Sequence, residues 1–373
     1  MTNILNIMKI YLLVFIVLLF CIKKNEAQEA ISASYNYGTI IIHSASIENL
    51  VNGPVHGVTL NYAISNKKGV HWRKLYNFPD YGLSYNYKSY DNPAHLGNSH
   101  SITGFFQMPF LPKGRFFNFG FKGFVGLGLF TKKYDPVSNP LNKAISSTVN
   151  ISAEARLYGK IRMEPLFLEY SFGLNHFSNG LIKAPNLGIN VLNNSFSIGY
   201  ELEDKLEYEK IRRQKTVSDI NHEFWAFTSF GFKEIDMGSK KYTFSSISLN
   251  YSKQLTQINK LGIGVDFLND PTLTSLAYEN YHYLGKPDLN FRYGINLHHE
   301  LIFGKTEFLL AYGQYLRKSS YYTSQWYYKA GFKYSYKNVF GVVLIRAIPL
   351  FRADVVEFGI GYKISRYKKN RAE

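Results

Sequence analysis

In Val58-Thr59-Leu60-Asn61-Tyr62-Ala63-Ile64-Ser65 nearly every second residue is large and apolar, and the same holds in Ile247-Ser248-Leu249-Asn250-Tyr251-Ser252. A period of two puts the two sets on opposite faces of a strand. Across 151–163, Ile151, Ala153, Ala155, Leu157, Ile161 and Met163 share one face, and Ser152, Glu154, Arg156, Tyr158, Lys160 and Arg162 share the other. Across 116–129, Phe117, Phe119, Phe121, Val125, Leu127 and Leu129 oppose Asn118, Gly120, Lys122, Gly126 and Gly128. About sixteen such segments are predicted, near 38–47, 57–66, 80–90, 100–111, 116–131, 146–163, 166–178 and 190–202, then near 222–236, 242–255, 259–267, 290–304, 305–316, 326–337, 339–348 and 355–366.

A soluble sandwich needs a second, purely buried layer, and no later segment supplies it. Strands of about ten residues with one apolar and one polar face, and no apolar run of helix-spanning length after residue 27, fit an all-β, antiparallel outer-membrane β-barrel. Closure leaves no unpaired backbone in lipid. From Glu203 to Asn221 the alternation stops in a charged stretch that includes Lys205, Glu207, Glu209, Lys210, Arg212 and Arg213. The expected organisation is therefore a first barrel half over 28–202, a charged linker over 203–221 and a second strand-rich half over 222–373. The two eight-strand halves form either one large barrel or an eight-strand barrel plus a second β unit. With the N-terminus in the periplasm, the long connections 48–56, 91–99, 132–145 and 179–189 fall on the outer side and the short turns near 112–114 and 164–165 on the inner side. The connection 67–79 is long for an inner turn.

The first 27 residues are read apart from the fold. Lys9, the apolar run Ile10–Phe20 and the small Ala27 before Gln28 have the form of a cleavable secretory signal, with an apolar run too short to span a bilayer. The full chain has 373 residues and a formal charge of +16. Cleavage after Ala27 removes three lysines and one glutamate, leaving +14, and removes the single cysteine, Cys21. An exported chain without a thiol is not a disulfide scaffold. Aromatic residues make up 17% of the chain and charged residues 19%, the latter below the roughly 25% of soluble domains, which again favours a wall in lipid.

Most chemical motifs are missing. The chain has no Walker-type phosphate loop, and Gly123, Gly126 and Gly128 sit within a strand, not at a strand-to-helix turn, so a dinucleotide site is not expected. His222-Glu223 and His299-Glu300 each lack the second histidine of a zinc helix, and the adjacent His298 and His299 point to opposite faces. These histidines are expected in loops or the interfacial girdle. One constellation stands out. Leu166, Leu168, Tyr170, Phe172 and Leu174 form an apolar face whose register continues into His176 and Ser178, with Glu169, Ser171, Gly173 and Asn175 opposite. Residues two apart on a strand are about 7 Å apart, so an imidazole can lean towards the serine and accept its proton, as an activated nucleophile requires. Asn190, Leu192, Asn194, Phe196, Ile198, Tyr200 and Leu202 carry the matching register on the next strand.

His176-Phe177-Ser178-Asn179-Gly180, then Lys183, then Pro185-Asn186-Leu187-Gly188-Ile189, resembles the signature of the outer-membrane lipid A 3-O-deacylases, with motif likeness over 176–190. The resemblance implies an eight-stranded barrel with a lipid-facing Ser-His-Glu triad that hydrolyses the ester-linked 3-hydroxyacyl chain at position 3 of lipid A. By it, Ser178 is the nucleophile, His176 the base, and Asn179, Gly180, Asn186 and Lys183 are candidates for oxyanion or substrate contacts. Lipid A or lipopolysaccharide in the outer membrane is then the partner, with no metal and no cofactor. Two positions depart from the signature: its Ala-Gly is Gly180-Leu181 here, and its Glu is Asn190. An amide can still accept from an imidazole N–H, but it adds no charge stabilisation. The competing expectation is an inert porin or transport barrel, suggested by inward charges such as Glu154 and Arg156.

Overall fold

The computed structural model describes residues 27–66, 71–202, 220–274, 290–318, 324–349 and 352–368. The expected signal segment up to residue 26 and nearly all of the expected linker lie outside the described residues. Eight strands form the first sheet: β1 (Ala27–Ile40), β2 (Val55–Asn66), β3 (Asp80–Ser89), β4 (Asn98–Pro109), β5 (Phe117–Phe130), β6 (Val149–Met163), β7 (Leu166–Ser178) and β8 (Ile189–Glu201). Each pairs antiparallel with the next, and β1 pairs with β8, so the sheet closes. The second sheet contains β9 (Ile220–Lys233), β10 (Tyr242–Thr256), β11 (Asn259–Asn269), β12 (Phe291–Phe303), β13 (Thr306–Arg317), β14 (Trp326–Tyr336), β15 (Val339–Ile348) and β16 (Arg352–Lys368). It closes through β16 and β9. Of the two arrangements left open by the sequence, the chain adopts two closed eight-stranded barrels, not one large barrel. The compact units are Met1–Asn179 with Pro185–Arg212, and Gly180–Ala184 with Arg213–Glu373.

Alternation along the strands becomes inside and outside. On β7, Leu166, Leu168, Tyr170, Phe172 and Leu174 are exposed while Phe167, Glu169, Ser171 and Asn175 are buried. In water so many bare large side chains would each forgo up to ~2 kcal/mol of burial; against hydrocarbon they forgo little. The first lumen is filled by side chains, as expected at eight strands. Glu154 meets Arg156 at 2.7 Å and Lys88 at 3.9 Å, Glu169 meets Lys122 at 3.2 Å and Lys160 at 3.5 Å, and Arg162 meets Glu201 at 2.8 Å. Each carboxylate among the charges that suggested a pore is thus met by one or two cations, and beside Glu169 and Glu201 lies a cavity of only about 30 Å³, scarcely more than a water needs.

In the second barrel Lys333 Nζ lies 3.1, 2.5 and 2.5 Å from carboxylate oxygens of Glu223, Glu300 and Glu307. An ammonium therefore stands among the one group of three carboxylates that has metal-ligand spacing among the described residues.

Two sequence expectations need correction. The segment near 38–47 is not one strand: β1 ends at Ile40, and helix α1 (Ala45–Glu48) follows, N-capped by Ser44, whose hydroxyl accepts from the Ile47 N–H at 3.3 Å. A capping serine stops the extended run that Ile40 and Ile42 suggest. His298 is neither a loop nor a girdle residue. It lies buried in the second lumen beside Ser252 (3.0 Å) and Asn296 (3.0 Å), because it shares the inward face of β12 with Arg292 and Glu300. His299, on the other face, bonds Asn259 Oδ1 at 2.9 Å. The long connection 67–79 contains helix α2 (His71–Leu75).

At one end of the first barrel the connections 41–54, 90–97, 131–148 and 179–188 gather. Ile47, Leu50, Tyr90, Leu96, Ala144 and Ile145 from them pack on Phe130, Phe177, Ile189 and Val191 from the strand ends. This core fixes the tips of β7 and β8.

Candidate active site

β6, β7 and β8 bring the candidate residues together by register alone. His176 pairs with Ala153 on β6 and with Asn190 on β8, and Ser178 pairs with Ile151. Phe177, between the histidine and the serine, points inward into the apolar core, which forces its two neighbours outward. Asn175 also faces the lumen, where Lys88 Nζ donates to its Oδ1 at 2.7 Å and its own Nδ2 donates to the Ala153 carbonyl at 3.2 Å. The strand end carrying the site is therefore held from within by both an apolar plug and a polar anchor.

His176 Nδ1 and Asn190 Oδ1 are 2.7 Å apart. An amide oxygen only accepts, so the imidazole carries its proton on Nδ1 and leaves Nε2 with a lone pair. The backbone carbonyl of Asn190 accepts from the Ile41 N–H at 2.8 Å, tying this position to the end of β1. His176 is half-buried, but Ser178 is only 7% exposed. The sequence expected both side chains to meet lipid; the register is outward, yet Ser178 is buried, with Gly188 of the following turn beside it. Gly188 has φ +74°, and a Cβ there would lie 2.8 Å from His176 Cε1 and 3.5 Å from Ser178 Cβ, so only glycine fits. The turn is fastened by the Leu187 N–H to the Lys143 carbonyl (3.2 Å) and the Gly188 N–H to the Ala144 carbonyl (3.0 Å). Those two amides are committed and leave no donor for a substrate.

The two asparagines proposed for an oxyanion site differ. Asn179 Nδ2 donates to Ser146 Oγ at 2.9 Å and Ser147 Oγ at 3.1 Å, which ties it to the 131–148 connection. Asn186 Oδ1 accepts from the Asn179 backbone N–H at 3.2 Å, while its Nδ2 has no partner among the described residues. Gly180, with φ +65°, and the exposed Lys183 belong to the segment grouped with the second unit. Glu169 is sealed in the lumen by Gln107, Lys122 and Lys160 and takes no part in the site. His43 was not expected from the sequence. It lies in the β1–β2 connection with Nε2 3.2 Å from the Leu187 carbonyl oxygen. Nothing in its local sequence marks it, since its partner is 144 residues away.

Residues 56–200 match the family model for lipid A 3-O-deacylase (PagL), and residues 222–366 match that for the acyloxyacyl hydrolase C-terminal domain. No curated protein matches at a significant level. Among solved structures, CdiB from Acinetobacter baumannii aligns at 10% identity with a TM-score of 0.19, over 92% of this chain and 60% of that one. The siderophore receptor PirA from Acinetobacter baumannii aligns at 11% identity with a TM-score of 0.24, over 87% of this chain and 43% of that one. A mutant Rh. blastica porin aligns at 8% identity with a TM-score of 0.19, over 91% of this chain and 100% of that one. The chain thus spans less than two thirds of the first two proteins. At such TM-scores none of the three informs fold or function.

Proposed function

The chain belongs to the lipid A 3-O-deacylase family, and from that premise we propose that it removes an ester-linked 3-hydroxyacyl chain from lipid A in the outer membrane, with Ser178 as nucleophile. The observation carrying this reading is the 2.7 Å bond from His176 Nδ1–H to Asn190 Oδ1, which fixes the tautomer that makes Nε2 the base. Nε2 takes the Ser178 proton as Oγ attacks the ester carbonyl. The tetrahedral oxyanion is met by Asn186 Nδ2, a fixed donor needing no rearrangement. Collapse breaks the bond to the sugar oxygen, which recovers the proton from His176, and the acyl chain remains on Ser178. Water, deprotonated by the same nitrogen, then hydrolyses the acyl-serine. Asn190 holds the ring but cannot balance the charge of the imidazolium as a carboxylate would, so the rate should fall short of a site with the acid. Lys132 and Lys133, exposed on the 131–148 connection, and the exposed Lys183 are the cations that would meet lipid A phosphates.

The test uses purified protein in detergent with lipid A and a metal chelator. Release of a 3-hydroxy fatty acid by the wild type, and its loss in Ser178→Ala and His176→Ala with barrel folding intact, supports the reading. Release by Ser178→Ala at the wild-type rate removes Ser178 from the mechanism.

A further inference from the structure

The connection after β1 is tied to the site at two consecutive places. The Ile41 N–H donates to the Asn190 carbonyl, and two residues later the His43 ring reaches Leu187. His43 Nδ1 is 3.1 Å from the Ile41 carbonyl oxygen and Nε2 is 3.2 Å from the Leu187 carbonyl oxygen. Both partners are acceptors and a neutral imidazole carries one N–H, so the two contacts belong to alternative tautomers, and the Nε2–H form donates to Leu187. Its backbone is itself held. Ser44 caps α1 immediately after it, and Ile47 of that helix is buried in the apolar core at this end of the barrel. His43 is thus an exposed side chain on a fixed stem, aimed at the peptide preceding Gly188.

Gly188 lies against the His176 ring and Ser178, and Asn186 is one residue before Leu187. A shift of the Leu187 peptide moves both the wall against the imidazole and the Asn186 side chain that accepts from the N–H of Asn179, the residue after the serine.

We propose that His43 is a positioning residue of the His176–Ser178 site, donating from its ring to the Leu187 carbonyl and so holding Gly188 against His176 and Asn186 in place for the oxyanion. This rests on the reading of Ser178 and His176 given above. The ring touches no reacting atom, and its effect passes through the turn. Misplacement by about 1 Å can cost a hundredfold in rate, and a turn that keeps its two bonds to Lys143 and Ala144 should move less. Losing the His43 link should therefore lower kcat by about 10-fold and leave KM within about twofold, because the lipid-binding surface is unchanged.

The experiment compares His43→Ala, His43→Leu and His43→Gln with wild type and Ser178→Ala, all in the full chain in detergent micelles. It measures lipid A deacylation and the rate at which a fluorophosphonate labels Ser178, with heat-modifiable gel mobility as the check on folding. The glutamine amide supplies an N–H donor near the position of Nε2, whereas leucine fills space without one. Loss of kcat and of labelling rate in Ala and Leu, with recovery to within about threefold in Gln, supports the proposal. Wild-type kcat and labelling in His43→Ala, or equal loss in Leu and Gln, overturns it while Ser178→Ala remains inactive. Activity or labelling that survives in Ser178→Ala overturns the underlying assignment instead, and this one with it.

Discussion

In the site proposed, Asn190 stands where the deacylase signature implies an acid, and its geometry sets a number. In Asn190→Ala the half-buried Nδ1–H loses its acceptor at 2.7 Å. Leaving such a donor unsatisfied costs about 1–3 kcal/mol, and the ring becomes free to place its proton on Nε2, where it cannot act as a base. If that cost falls on the transition state, kcat drops by about 5- to 150-fold. Asn190→Glu works in the opposite direction: bonds to charged groups contribute about 1.5–3 kcal/mol against about 1 for neutral ones, and the carboxylate opposes the imidazolium charge. The expected rise in kcat is about 2- to 30-fold. The assay is time-resolved mass spectrometry of lipid A in mixed micelles with each purified variant, scored as loss of one 3-hydroxyacyl mass. Indifference of kcat to both substitutions would refute the reasoning, since some other group would then orient His176. A glutamate variant slower than the alanine variant would refute it equally.

Gly188→Ala should reduce activity by at least about tenfold while the barrel still folds, because the new methyl meets His176 Cε1 at 2.8 Å and the backbone sits at φ +74°; a rate assay beside heat-modifiable mobility separates the two effects. Asn186→Ala should lower kcat by about 100-fold, the scale of losing one oxyanion donor, with unchanged stability. Asn179→Ala should instead lower thermal stability, since its amide holds Ser146 and Ser147; the opposite pattern in thermal melts and rates would exchange their roles. Lys333→Met should destabilise the second barrel by about 3–5 kcal/mol by leaving three carboxylates together without their central cation, read as a lowered midpoint in urea. N-terminal sequencing of the outer-membrane form should begin at or near Gln28, and an intact Met1 would remove the signal-peptide reading.

What was legible in the sequence was whatever depends on a period of two. The bounds of β7 and the shared outward register of His176, Ser178 and Asn190 follow from alternation alone, since a one-residue slip would have put Leu168 and Phe172 into a charged lumen. The inward placement of His298 was equally readable from its alternation with Arg292, Asn296 and Glu300. Closure was not legible: the bonds of β1 to β8 and of β16 to β9 join residues more than a hundred positions apart, and local pattern is the same in one barrel or two. The burial of Ser178 was hidden for a similar reason. It depends on a glycine with positive φ, two backbone bonds to the 131–148 connection and a histidine 144 residues away in the chain, none of which leaves a periodic trace.

The outward register of His176 and Ser178 also determines how this protein would count its substrate. A site opening into a lumen samples molecules per litre, whereas a site on the wall samples neighbours in a leaflet. For the activity proposed, the controlling variable is the mole fraction of lipid A at the surface, and the search is a lateral one in two dimensions. Adding inert detergent at constant lipid A molarity would slow turnover by dilution within the plane, and packing lipid A densely would saturate the protein at bulk amounts that look vanishingly small. Any comparison of variants is then meaningful only at matched surface composition.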